Sequence, residues 1–127
     1  MARRAVIVAG FGFRGAATTA SLLDALEQAG GAQGVSMLAT AADKANGPAF
    51  RGLAETLGRP ASAIDSDTLE RQQTATHSQA SKSARGTGSV AEAAALAAAG
   101  PGASLLGPRS ISADRMATCA LARGGSQ

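Results

Sequence analysis

Aromatic residues are almost missing from this 127-residue chain: Phe11, Phe13 and Phe50 are the whole set, with neither Trp nor Tyr. A core must then be built from Ala, Val, Leu and Ile, and the stacking platforms of base-reading modules are lacking. Cysteine is nearly missing too. A lone Cys119 allows neither an internal disulfide nor a thiolate metal cluster, so the chain reads as cytoplasmic and Cys119 as a buried, inert thiol. No apolar run approaches the ~20 residues of a membrane span. Arg3-Arg4 ahead of Ala5–Ala9 imitates a signal peptide, but the apolar stretch breaks at once into Gly10. Charge is sparse at 17% of residues, with a net +3 from twelve Lys/Arg against nine Asp/Glu. The basic residues are scattered rather than massed, which gives no nucleic-acid footprint and suits a small polyanionic ligand.

What is present is globular in character. Hydrophobic residues make up 45% of the chain, and its length fits a single domain over residues 1–127. Ala5–Ala9 reads as a short buried strand, followed by Gly10–Gly15 and a helix over Thr19–Ala29 that ends at Gly30-Gly31. Val35–Thr40 is a second strand. After a polar loop over Asp43–Gly47, Pro48 opens a helix with Phe50, Leu53, Ala54 and Leu57 on one face, closed by Gly58. Ala61–Ile64 is a third strand, and Asp67 with Glu70 reads as a capping box on a short helix. Gln72–Gly88 is Ser/Thr/Gln-rich and reads as a loop or a poorly packed helix. Ser89 and Glu92 then form a second capping box, on a helix of nearly pure alanine that must be packed tightly on most sides. Gly100-Pro101-Gly102 stops it, and Ala103–Leu106 and Met116–Ala122 read as two more strands. This alternation predicts one three-layer α/β/α domain around a mostly parallel open sheet of about five strands.

In such sheets ligands gather at the carboxyl ends of the strands. The expected ligand face therefore collects Gly10–Gly15, Thr40–Lys44 and the loop after Leu106. Gly10-x-Gly12-x-x-Gly15 matches the dinucleotide fingerprint, in which glycine lets backbone approach a phosphate at a helix N-terminus. The second strand, however, ends without an acidic residue for a ribose, so the string is read as a tight ligand-facing turn, with nucleotide binding as an alternative. Arg14 in that turn has the fork that suits a carboxylate or phosphate, and Lys44 supports it. His77, the single histidine, has the chemistry of a proton carrier or metal ligand, and its loop setting equally fits a surface histidine. Glu92 is explained by its capping box, with general-base catalysis as the alternative.

These segments together carry a family resemblance. The order is the Gly-x-Gly-x-Arg stretch, Leu38-Ala39-Thr40 with Lys44-Ala45, Thr76-x-Ser78, Gly86-x-x-Ser89-Val90-Ala91-Glu92-Ala93-Ala94-Ala95-Leu96, and Thr118-x-Ala120-Leu121-Ala122-Arg123. It resembles the CobE/CbiG C-terminal domain family of cobalamin biosynthesis over nearly the whole chain, most specifically at Ser89–Ala94. The resemblance implies a role in making the corrin ring by the aerobic pathway. CbiG proteins open the lactone of a cobalt-precorrin, an activity that needs more protein than the C-terminal-type domain. The implied role is therefore to bind a precorrin or hydrogenobyrinic-acid-type intermediate, as carrier or accessory protein, alongside other corrin-pathway enzymes. A precorrin lactone hydrolase in which Glu92 or His77 activates water is the alternative. The implied ligand residues are Gly10, Gly12, Arg14, Thr40, Lys44, Thr76, Ser78, Thr87, Gly88, Ser89 and Arg109, with no resident cofactor, no metal and no membrane or nucleic-acid partner. Precorrins are ringed by carboxylates, which matches the cationic residues among these positions.

Overall fold

The computed structural model describes residues 6–31, 34–70, 90–100, 102–107 and 109–124. Six strands form one sheet: β1 (Ile7–Phe13), β2 (Met37–Ala41), β3 (Ala61–Ile64), β4 (Ser104–Leu105), β5 (Ser110–Ile111) and β6 (Ala117–Arg123). The order is β3-β2-β1-β6-β4, with β5 also paired to β6. β1, β2 and β3 run parallel, and β6 returns antiparallel against β1, with Gly10 opposite Ala120. The expected open α/β sheet is present, and its second half is antiparallel because β4 and β5 join β6 through short connections rather than helical crossovers.

Among the described residues four helices cover the sheet: α1 (Thr19–Ala29), α2 (Pro48–Leu57), α3 (Ser66–Glu70) and α4 (Val90–Ala99). Alternation along β1 sorts its side chains between the two faces. Ala9 and Phe11 enter the larger core with Leu22 and Leu26 of α1 and Phe50 and Leu53 of α2. Val8 enters the smaller core with Ala39, Ile64 and Ala94 of α4. The three phenylalanines are contiguous: Phe50 meets Phe11 edge-on at 6.1 Å and stacks with Phe13 at 6.2 Å.

The helix ends are set by local chemistry. α1 begins at a reciprocal cap in which Thr18 Oγ1 accepts from Ser21 N, and Ser21 Oγ accepts from Thr18 N. α2 starts at Pro48 and ends at Gly58, whose φ of 64° suits the left-handed closing position. In α3 the cap is Asp65, whose carboxylate accepts from Thr68 N at 2.8 Å, so the expected Asp67 cap is corrected: Asp67 lies inside the first turn. A further correction concerns the N-terminal glycines. β1 does not stop at Ala9 but continues to Phe13, so Gly10 and Gly12 are strand residues and not loop residues. Ser89 and the Gln72–Gly88 segment lie outside the described residues.

Candidate functional site

The glycines of β1 are explained by α4. A Cβ on Gly10 would fall well inside contact distance of the Ala91 carbonyl oxygen and 2.5 Å from Ala95 N. A Cβ on Gly12 would lie 3.0 Å from Thr118 Oγ1 and 3.4 Å from Val90 Cβ. The helix backbone thus rests directly on the strand backbone, which needs glycine below and alanine above. From Ala91 to Leu96 every residue of α4 is buried. The position that a dinucleotide phosphate would take next to Gly10 is filled by a helix, so the fingerprint does not build a phosphate loop here. Thr40 is likewise committed: it is fully buried, and its hydroxyl donates to the Phe11 carbonyl at 2.8 Å.

Beyond the glycines, the carboxyl end of β1 opens into a cleft of about 200 Å³ lined by Gly12, Phe13, Arg14, Arg109, Ile111, Arg115, Met116, Ala117 and Thr118. Three arginines line this cleft. Arg14 is placed by its own N–H, which donates to the Met116 carbonyl at 3.0 Å and continues the β1–β6 ladder past the end of β1. Arg109 is placed by Glu92, whose Oε2 accepts from Arg109 N at 3.0 Å. Lys44 stands at the margin, its Nζ 5.7 Å from the centre of the Phe13 ring that lines the cleft.

Arg109 carries the most telling polar atom of the site. Its Nε is buried and has no hydrogen-bond partner among the described residues. A buried guanidinium N–H without an acceptor is costly.

The structure therefore brings Gly12, Arg14 and Arg109 together at one cleft, with Lys44 beside it, and leaves Gly10 and Thr40 buried away from it. Thr76, His77, Ser78, Thr87, Gly88 and Ser89 lie outside the described residues. Glu92 is fully buried and acts through Arg109, tying α4 to the strand-proximal loop before β5. Arg115 was not expected at the site. The signal for it was present only as a turn composition, Ser112-Ala113-Asp114, ahead of a strand.

The turn that carries Arg115 is strongly braced. The Asp114 carboxylate accepts from Ser112 Oγ at 2.5 Å, from Ser21 Oγ at 2.6 Å and from Met116 N at 3.0 Å. The Ser112 hydroxyl, then the Ser21 hydroxyl and the Met116 N–H, hold this carboxyl below its ordinary value of 3.8. Asp24 adds a second tie from α1 by accepting from Ala113 N at 2.6 Å. Cys119 of β6 lies in the larger core, where burial pushes its thiol far above the usual range.

Fold and site together define a small α/β domain with a cation-lined cleft at the carboxyl end of its central parallel strand. A family model described as Cobalamin synthesis G C-terminus matches residues 7–122, and the chain belongs to that family, a family of cobalamin biosynthesis. Two solved structures agree in sequence and shape. CobE, a protein from the cobalamin (vitamin B12) biosynthetic pathway, is 32% identical with a TM-score of 0.74, over 97% of this chain and 93% of that one. The cobalamin biosynthesis protein chiG from Agrobacterium tumefaciens is 31% identical with a TM-score of 0.69, over 96% of this chain and 100% of that one. A cobalamin biosynthesis protein G homolog from Sulfolobus solfataricus shares the fold at 17% identity and a TM-score of 0.71, this chain spanning 37% of its length. A search of curated protein sequences finds no match.

Proposed function

We propose that this protein binds a carboxylate-rich intermediate of corrin-ring synthesis, of the precorrin or hydrogenobyrinic acid type, as a carrier or accessory protein of the aerobic pathway. The observation that carries the reading is the gathering of three arginines, Arg14, Arg109 and Arg115, along one cleft. Such a cleft is matched by a ligand that presents several carboxylates at one edge. Arg14 and Arg109 take peripheral carboxylates by charge-assisted hydrogen bonds, Lys44 adds a point charge at the margin, and Phe13, Ile111 and Met116 offer apolar contact. Family membership supplies the pathway, and the cleft supplies the chemistry of recognition.

Absorbance titration with hydrogenobyrinic acid tests the proposal. Saturable spectral change is expected, weakening as salt is raised because the contacts are between charges. Arg14→Ala is expected to weaken binding about tenfold, on the scale of one lost charge-assisted bond. Arg123→Ala, at the far end of β6, is expected to leave it unchanged. A folded protein that shows no saturable change would sink the reading.

A further inference from the structure

Arg115 is the one residue other than glycine with positive φ, at 63°, among the described residues. That left-handed conformation brings Cβ against the following carbonyl oxygen, and glycine or asparagine occupies it far more readily than arginine. A strained residue persists only where its surroundings over-determine it. Here they do. Arg115 N donates to the Ser112 carbonyl at 2.9 Å, closing the turn. Ser112 Oγ accepts from Ala117 N at 3.1 Å, and Asp114 and Asp24 fasten the turn to α1. The bracing leaves the Arg115 side chain exposed on the cleft, next to the Met116 carbonyl that places Arg14.

A turn meant only to join β5 to β6 would be served better by glycine at this position. The strain is accounted for if the side chain is used. We propose that Arg115 is a specificity-determining residue that engages a further carboxylate of the anionic ligand, beyond those held by Arg14 and Arg109. The inference rests on the anionic-ligand reading of the cleft. Its physical content is a trade: a backbone held in an unfavourable conformation in return for a third guanidinium at a fixed place.

The test uses Arg115→Gly and Arg115→Asn in the full chain, titrated with hydrogenobyrinic acid and melted in parallel. Both substitutions accept the left-handed backbone, so each variant is expected to melt at a temperature no lower than the parent. Affinity is expected to fall about tenfold in both, and the plot of log affinity against log salt to become shallower, because one ionic contact is gone. A purely structural arginine would move the melting temperature alone. Parent binding combined with unchanged affinity in Arg115→Gly and Arg115→Asn would overturn this assignment and leave the cleft reading standing. A marked fall in melting temperature in both variants would also overturn it, since the strain would then not be there to relieve. Failure of the folded parent to bind would overturn the cleft reading, and the role of Arg115 with it.

Discussion

The middle of β1 and its carboxyl end are three residues apart, and they obey different physics. At Gly10 the strand is bare so that the backbone of α4 can lie on it, and the residues it meets there, Ala91 and Ala95, are small and buried. Phe13 and Arg14 carry large side chains, and the cleft beside them is lined by three arginines, one on a turn braced by the Asp114 carboxylate and the Ser21 and Ser112 hydroxyls. The first region gains from tight packing and tolerates no added atom. The second is open, keeps an unsatisfied N–H, and holds one backbone in a strained state. The comparison teaches that a glycine string takes its meaning from what approaches it. A phosphate and a helix backbone both require a missing side chain, and only the third dimension tells them apart.

The largest expected effect breaks the packed region. Gly10→Ala would press a methyl into the backbone of Ala91 and Ala95, neither of which is the movable end of a side chain. A loss of about 3 kcal/mol or more is expected, at the upper end for overpacking, measurable as a lowered urea midpoint or as failure to fold. Gly12→Ala meets a hydroxyl and a Cβ at longer distances, so a smaller loss is expected by the same measurement.

Next comes the link between the two regions. Glu92 sits on the packed helix and fixes Arg109 at the open cleft. Glu92→Gln keeps the shape of the side chain and removes its charge. It is expected to lower stability by about 2 kcal/mol, the scale of a charge-assisted bond with one charged partner, and to weaken ligand binding together with it. Loss of stability with full affinity would show that Arg109 is placed without it.

A smaller effect lies in the brace. Since the Asp114 carboxyl is held below its ordinary value, its contribution to stability is full above about pH 4 and is lost as pH falls through the lowered value. Asp114→Asn should therefore melt below the parent at neutral pH, with the two curves converging in more acid solution. Melting curves that stay a constant distance apart down to pH 2 would show that the carboxylate charge does no work there. The smallest effect is on Cys119, which is expected to resist thiol reagents in the folded protein and to react fully in denaturant.

Much of this fold was legible in the chain because its punctuation is explicit. Pro48 and Gly58 bound α2 to the residue, and Gly30 closes α1 where expected. The alanine run of α4 announced burial on most sides, and that is how it sits. β5 was not legible, because two residues, Ser110 and Ile111, are too few to show alternation. Nor was the antiparallel half of the sheet, since direction is decided by connections whose paths composition does not encode. Of the cleft-lining arginines, Arg14 was named from its place after a strand and Arg109 from the family resemblance. Arg115 was not, for a backbone angle leaves no mark on the amino-acid string. The cap on α3 shifted from Asp67 to Asp65 because both acids precede plausible helix starts, and only the geometry of the first turn chooses.

One further consequence follows from β6. It comes after every other described strand in chain order, yet it lies between β1 and β4 and also carries β5. As the chain leaves the ribosome, β1, β2 and β3 can pair with one another, but the other edge of β1 stays bare until Ala117–Arg123 emerges. Nascent chains stalled before Ala117 would present an unpaired parallel edge, and molecules released there by premature termination would be aggregation-prone rather than merely inactive. Completion of the sheet and completion of the Arg14–Met116 wall of the cleft are then the same event, reached once Ala117–Arg123 has been made.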